Sequence, residues 1–315
     1  MCGIAGYSVK TGSTLDRTLA AQALLAAIAE RGADAVGYAY RGPEDTYATV
    51  VKQRTPASKL IERITVPDEA TQLLVHVRDY TQGHPSINAN NHPVRHGPVV
   101  GIHNGIITND DELLAPHSCA RAEPRMTVDS EAIFALAAHS RNDARALEDL
   151  RGALATGWLD EREPGVVFLA RGSGRPLWLG EGRSAVFFAS TKLALETVER
   201  YSRLRLRKRE VKAGSWFAIA GGEVVRRERF RPDLEYVEPD PLPAVRAPGD
   251  AVGHAIDPPF ADAIAKAQTA FWTLPALRQR VQTYSRVGAP FTVIRTFCRF
   301  GSKRRLVATI EWLRL

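Results

Sequence analysis

The 315-residue sequence is poor in sulfur, with only three cysteines and two methionines. Cys2, Cys119 and Cys298 stand far apart, which suits neither a disulfide framework nor a cysteine-rich zinc site. Such sparing use fits a reducing cytoplasm, the location expected for this chain, where a thiol stays free to react. No run approaches the roughly 18 consecutive apolar residues of a membrane helix, so no membrane partner is expected. The opening Met1-Cys2-Gly3-Ile4-Ala5-Gly6-Tyr7 lacks the basic leader and long apolar stretch of a secretory signal. The last 58 residues, Pro258 to Leu315, contain neither a Gly-rich phosphate loop nor an acidic pair suited to magnesium. No metal and no cofactor is expected.

With 44% hydrophobic residues, the chain can bury one large core, or one core plus a small appendage. Its net charge of +7 is unevenly placed. Residues 241–315 hold 11 Lys+Arg against 4 Asp+Glu, leaving 31 of each sign in the first 240. A basic tail on a neutral body fits an acidic partner, nucleic acid or an anionic ligand, and equally a solvated arginine-rich surface.

Periodicity divides the chain into groups of elements. Gly3 to Val9 predicts a short buried strand, and Arg17 to Glu30 a helix with alanine and leucine at helical spacing, stopped by Arg31-Gly32. Val36 to Tyr40 and Tyr47 to Lys52 read as a hairpin around Gly42-Pro43-Glu44-Asp45. Leu73 to Val77 and Val99 to His103 are strand-length apolar runs, each leading into polar residues that could line a site. Helices are expected at about Asp129 to Ser140 and Asp143 to Ala155. Strands follow at Val166 to Ala170, Leu177 to Leu179 and Val186 to Ala189, and Trp216 to Ala220 with Glu223 to Arg226 close a hairpin around Gly221-Gly222. Strands in two groups with helices between them favour layered sheets. Arg231 to Asp257, rich in proline and glycine, reads as a linker. Beyond it, Phe260 to Trp272 reads as a helix, with Phe291 to Phe297 and Leu306 to Trp312 as strands or pieces of one small basic subdomain.

Four constellations carry chemistry. Removal of Met1 would expose Cys2 with a free α-amine, whose pKa of roughly 7.7–8.0 lets it serve as base for its own thiol. An early cysteine is otherwise simply a small apolar residue. In His76-Val77-Arg78-Asp79-Tyr80-Thr81-Gln82-Gly83, continuing to His92-Pro93, Arg78 ends an apolar strand and could hold a carboxylate in bidentate fashion; alone it reads equally as a surface arginine. In Gly101-Ile102-His103-Asn104-Gly105, Asn-Gly after a strand is by default a tight turn. Its functional reading is an oxyanion hole from the Asn104 amide and the Gly105 N–H. Asp129, at a predicted helix start, is either an N-cap or the partner of an amino acid's ammonium group.

Taken in order, these pieces resemble the class II glutamine amidotransferase domain of the N-terminal-nucleophile hydrolase superfamily. The ordered matches are Cys2-Gly3-Ile4, Arg31-Gly32-Ala33-Asp34-Ala35-Val36-Gly37, His76-Val77-Arg78 with Thr81 and Gly83, Pro85-Ser86, His92-Pro93, His103-Asn104-Gly105-Ile106-Ile107 and Asp129-Ser130-Glu131. Ala189-Ser190 resembles a later segment. The likeness covers about residues 2–230, nearest to the glutaminase domains of glucosamine-6-phosphate synthase and amidophosphoribosyltransferase. It implies an α+β fold, a four-layer αββα sandwich, with a small basic C-terminal extension. It also implies Cys2 as nucleophile, Asn104 and Gly105 as oxyanion hole, Arg78 and Thr81 on the substrate α-carboxylate, and Asp129 on its α-amine.

The sequence departs from the pattern at Asp79, where a relative has tryptophan, and at Gln82, where it has histidine. An insertion stands at Asn88 to Asn91, and Thr191 replaces an aspartate. The resulting expectation is a glutaminase domain at 2–230, a linker at 231–257 and a small basic segment at 258–315. It would hydrolyse L-glutamine and feed ammonia to a separate synthase. A non-catalytic relic that binds an amino acid or a partner is the alternative. The tail is expected to dock a partner, since its aromatic residues sit among Val293, Ile294, Leu306, Val307 and Ile310 as core residues would and no nucleic-acid-binding motif is present.

Overall fold

The computed structural model describes residues 2–115, 121–237, 247, 292–300 and 303–311. Thirteen strands of the body are β1 (Gly3–Val9), β2 (Ala35–Arg41), β3 (Thr49–Gln53), β4 (Gln72–Arg78), β5 (Val94–His96), β6 (Val99–Ile107), β7 (Gly152–Asp160), β8 (Val166–Arg171), β9 (Trp178–Glu181), β10 (Ala185–Ala189), β11 (Arg207–Glu210), β12 (Ser215–Ala220) and β13 (Glu223–Arg229). They form two antiparallel sheets, a seven-stranded one in the order β11-β9-β10-β1-β4-β2-β3 and a six-stranded one in the order β13-β12-β8-β7-β6-β5.

Helices α1 (Arg17–Ile28), α2 (Ala57–Ile61) and α5 (Lys192–Tyr201) cover the first sheet, while α3 (Asp110–Leu114) and α4 (Glu131–Ser140) belong to the second. Three buried clusters fill the gaps. One lies between α1, α5 and the first sheet, another between α4 and the second, and the third joins Ile4, Leu74, Val100, Ile102 and Phe188 between the sheets. Helix, sheet, sheet, helix is the four-layer αββα order expected from the resemblance. Because both faces of each sheet are covered, β1, β4 and β7 are buried at every position. The edge strand β13 instead alternates charge with exposed valine, a composition that resists further pairing.

Local chemistry sets the boundaries. Asp16 caps α1 by accepting the Leu19 N–H at 2.8 Å, and a 3₁₀ turn over Ala29–Arg31 ends it. Thr191, the residue in place of an aspartate, caps α5 through Ala194 N–H at 3.2 Å; this helix has no counterpart in the sequence reading.

The second predicted helix, Asp143 to Ala155, is a correction. Only a 3₁₀ stretch, Ala144–Asp149, forms, and Gly152 at φ +128° opens β7. Pairing of β7 with both β6 and β8 overrides the helix preference of Ala153-Leu154-Ala155. The Asn104-Gly105 pair is not a turn: β6 runs straight through it to Ile107, with Asn104 opposite Ala155. In the tail, β14 (Thr292–Phe300) and β15 (Lys303–Glu311) pair as an antiparallel hairpin, slightly longer than the two predicted strands. The expected helix at 260–272 and most of the linker lie outside the described residues.

Close approach of α4 to the second sheet depends on Gly101. A Cβ there would meet the Phe134 ring at 2.0 Å. Gly101→Ala is expected to destabilise the fold by about 1–3 kcal/mol through overpacking. Adding Phe134→Leu should return part of that loss, read as non-additivity in denaturant melts; simple addition of the two effects would show that the contact is unimportant.

Candidate active site

Cys2 stands immediately before β1, between β4 and β10 at one end of the first sheet. Gly3 pairs with Val77, so the thiol meets the chain as it leaves β4. Cys2 Sγ lies 3.3 Å from the Asp79 carbonyl and 3.4 Å from the Asp79 N–H, a backbone clasp around a partly buried thiol. Because these contacts are to main-chain atoms, aspartate in place of tryptophan leaves that seat intact. Burial raises the thiol above its ordinary value of 9.0, while the positive amino terminus and Arg78 pull it down.

The loop after α1 builds the floor. Arg31 Nε donates to the Cys2 carbonyl at 3.0 Å. A Cβ on Gly32 would sit 2.4 Å from the Arg78 carbonyl group, so only glycine allows this loop against β4. Asp34 then donates its N–H to the Arg78 carbonyl at 3.0 Å and accepts the Tyr80 N–H at 2.8 Å. Neither Arg31 nor Asp34 was singled out beyond its place in a motif; the Arg-Gly-x-Asp pattern was the available signal.

Arg78 is a buried arginine, not a surface one. Its guanidinium donates to Asn91 Oδ1 at 2.7 Å, to the Gln82 carbonyl at 2.8 Å and to the Gly83 carbonyl. The insertion at 88–91 therefore supports the site. Asn91 orients Arg78, and Asn90 Oδ1 accepts the Thr127 N–H at 2.7 Å. Gln82 turns to Asp110 at 3.0 Å. Thr81 is partly buried on the same loop, and its hydroxyl has no hydrogen-bond partner among the described residues.

On the second sheet, Asn104 is fully buried, and neither its amide nitrogen nor its amide oxygen has a partner among the described residues. An unpaired buried amide costs about 1–3 kcal/mol, which marks a group held for a ligand or a water. Gly105 takes φ +156°, and a Cβ there would lie 1.9 Å from the Ala153 carbonyl. Asp129 is not the N-cap of α4. Its Oδ2 accepts the Ile107 N–H at 2.7 Å and ties the end of β6. Burial lifts its carboxyl to about 6, opposed by the Ile107 bond, reinforced by Asp110 and again opposed by Arg78. Arg78 and Asp129 both act on the Cys2 thiol, the arginine favouring and the aspartate opposing its ionisation.

Three buried histidines lie near this junction, and one of them links the sheets. His76 Nε2 donates to the His103 carbonyl at 3.0 Å across the intersheet gap. His92 stacks on His76 with centroids 4.2 Å apart. Burial keeps all three neutral, with His76 and His103 lowered to about 3 and His92 well below its ordinary value. Among the described residues, no group of His, Cys, Asp and Glu is placed to hold a metal ion, and no helix is long and apolar enough to cross a membrane.

Comparison with known proteins points the same way. Residues 76–197 match a family model described as a glutamine amidotransferase domain. Over those residues the chain is similar to glutamine amidotransferase domains. The glutamine–fructose-6-phosphate aminotransferase (isomerizing) of Shouchella clausii is 27% identical over 210 residues, covering 63% of this chain and 33% of the relative. The enzyme of the same name from Salmonella typhi is 37% identical over 135 residues, 40% of this chain and 22% of its own. The chain thus spans a third or less of these curated relatives' length. In fold it is similar to the glutamine phosphoribosylpyrophosphate amidotransferase of B. subtilis complexed with ADP and GMP, with a TM-score of 0.58 and 19% identity over 72% of this chain and 49% of that one.

Asp129 also leaves a thermodynamic signature. Its folded value of about 6 exceeds its ordinary 3.8, so the folded state binds that proton more tightly. The resulting stability is complete below the ordinary value and is lost as pH rises through about 6. Relative to Asp129→Asn, the wild type should lose up to about 3 kcal/mol between pH 4 and pH 7 in urea melts. Parallel pH curves for the two proteins would contradict the raised value.

Proposed function

We propose that this chain hydrolyses L-glutamine to L-glutamate and ammonia, with Cys2 as nucleophile once Met1 is removed. The reading is supported by a Cys2 thiol seated on the Asp79 backbone next to the buried Arg78, by the charges of Arg78 and Asp129 acting on it, and by a buried Asn104 amide without a partner among the described residues. A free α-amino acid presents one carboxylate and one ammonium. Arg78, with Thr81, receives the carboxylate and Asp129 the ammonium, and the side-chain amide is thereby directed to Cys2.

The α-amine of Cys2 takes the thiol proton, and Sγ attacks the amide carbon. The oxygen of the tetrahedral intermediate is stabilised by the Asn104 amide N–H and the Gly105 N–H. Collapse breaks the C–N bond, and the departing nitrogen takes the proton back and leaves as ammonia. Water then adds to the thioester, releasing glutamate and restoring the thiol.

The relatives are named for aminotransferase and amidotransferase reactions, in which a nitrogen acceptor is required. A synthase on a separate polypeptide is the partner this reading implies. Residues 2–230 are the glutaminase unit, 231–257 a linker, and the β14–β15 hairpin belongs to a basic segment, 258–315, that docks the partner. Aliphatic residues in the hairpin, Val293, Ile294, Leu306, Val307 and Ile310, support protein docking over nucleic-acid binding.

Diazo-oxo-norleucine should label Cys2 and neither Cys119 nor Cys298, and Cys2→Ala should abolish turnover. Arg78→Ala and Asp129→Ala should each raise KM for glutamine by one to two decades, as expected for losing a charge-assisted contact of roughly 1.5–3 kcal/mol. Retention of Met1 in the mass spectrum of an active protein would remove the amine base and overturn this mechanism. Deleting 258–315 should spare glutamine hydrolysis and abolish co-purification of a synthase; loss of salt-sensitive DNA or RNA binding instead would make the tail a nucleic-acid arm.

A further inference from the structure

Ser130 stands between two acceptors with one hydroxyl proton to give. Its Oγ is 2.8 Å from His103 Nδ1 and 3.4 Å from Asp129 Oδ1. The other ring nitrogen, His103 Nε2, is 3.2 Å from the Ala153 carbonyl. A carbonyl only accepts, so Nε2 carries the proton. The ring is neutral, leaving Nδ1 as a bare lone pair that takes the Ser130 O–H. Asp129 Oδ2 is occupied by the Ile107 N–H at 2.7 Å, and the Ser130 backbone N–H also acts on this carboxylate. Its Oδ1 thus receives no hydroxyl proton from Ser130.

The ring has little freedom to change this arrangement. The His103 carbonyl is fixed by His76 at 3.0 Å, and a Cβ at Gly105 would come within 2.5 Å of Nε2. The imidazole is fully buried, and the Ala153 carbonyl belongs to the paired strand β7. The tautomer of one histidine therefore decides the direction of one hydroxyl.

We propose that His103 is a positioning residue that draws the Ser130 proton away from Asp129 and keeps Asp129 Oδ1 open to the α-ammonium of the substrate. The inference rests on the reading of Asp129 given above. A carboxylate oxygen already accepting an O–H bond competes for the same lone pairs that an incoming ammonium must use. His103 and Ser130 were present in the sequence only as neighbours of Asn104 and Asp129; their bond across 27 residues is a product of the fold.

Steady-state kinetics of the full chain with L-glutamine test the inference. His103→Gln offers an amide near the Nε2 position but no acceptor at the Nδ1 position, so Ser130 turns to Asp129. KM should rise about tenfold, with kcat within about twofold. His103→Asn places an oxygen near the Nδ1 position and should hold KM near the wild-type value. Ser130→Ala in the His103→Gln background removes the competing hydroxyl and should restore KM. Ser130→Ala alone, the least disruptive change, should leave KM within about twofold.

Equal KM increases for Gln and Asn, or no restoration by Ser130→Ala, would overturn the inference. Where the histidine variants fail to fold, a raised KM for Ser130→Ala alone overturns it and an unchanged one supports it. A wild type that turns over glutamine while this pattern fails sinks the His103 inference alone. A wild type without turnover removes the glutaminase reading and the inference with it.

Discussion

Strand β1 is hydrogen-bonded on both sides, to β4 and to β10, and every other feature of the site is built from its first residue outward. A strand pinned on two edges has a fixed register, because a one-residue slip would turn Ala5, Tyr7 and Val9 away from the helices they pack against. Ser190 adds a local lock, its hydroxyl accepting the Ile4 N–H at 3.0 Å. The consequence is that residue 2 cannot wander, although it lies next to a chain terminus, a place where order is usually lost. Its thiol is held at the exit of β4 by the backbone of Asp79, and β4 is in turn held by the loop carrying Gly32 and Asp34.

The second sheet contributes through polar groups that the interior keeps neutral or unpaired. His76 reaches across to the His103 carbonyl, so the strand bearing Asn104 is tied to the strand bearing Arg78 by one hydrogen bond. Burial suppresses protonation of all three histidines near this junction, which avoids extra positive charge beside Arg78. Asp129 shows the opposite tension. Burial pushes its carboxyl toward the neutral form, and Ile107 and Arg78 restrain it, leaving a group that ionises near neutrality. Buried polar groups left in this state cost stability, and such cost concentrates where a ligand must be bound.

Legibility in the sequence followed periodicity and motif order. The predicted strand at 3–9 has the same bounds as β1, and α1 begins at the predicted Arg17, because an alternating or helical pattern against a covered sheet leaves few alternatives. The failure at 143–155 has a physical source: alanine and leucine favour a helix locally, whereas β6 and β8 offer that segment ladder bonds on both sides. The amphipathic α5 was missed between strands that were found. In the site, Cys2, Arg78, Asn104 and Asp129 were named from residue type and order. Asn91 was seen as an insertion and Ser130 as part of a motif, and neither had a visible role, since each acts through a contact far away in sequence.

By itself, the sequence determined the two groups of strands, the helices α1 and α4, the neutral body with a basic tail, and the residue types able to attack, hold a zwitterion and stabilise an oxyanion. These are properties of composition, spacing and order, and they survive without any tertiary contact. Only the tertiary structure decided that Asn104-Gly105 lies within a strand, that Asp129 ties a strand end and caps no helix, and that Arg78 is buried among loop carbonyls. Each of those outcomes depends on which segments pair across the sheets. Pairing is a long-range choice, settled by the burial of both faces of both sheets at once and by no local preference of the residues concerned.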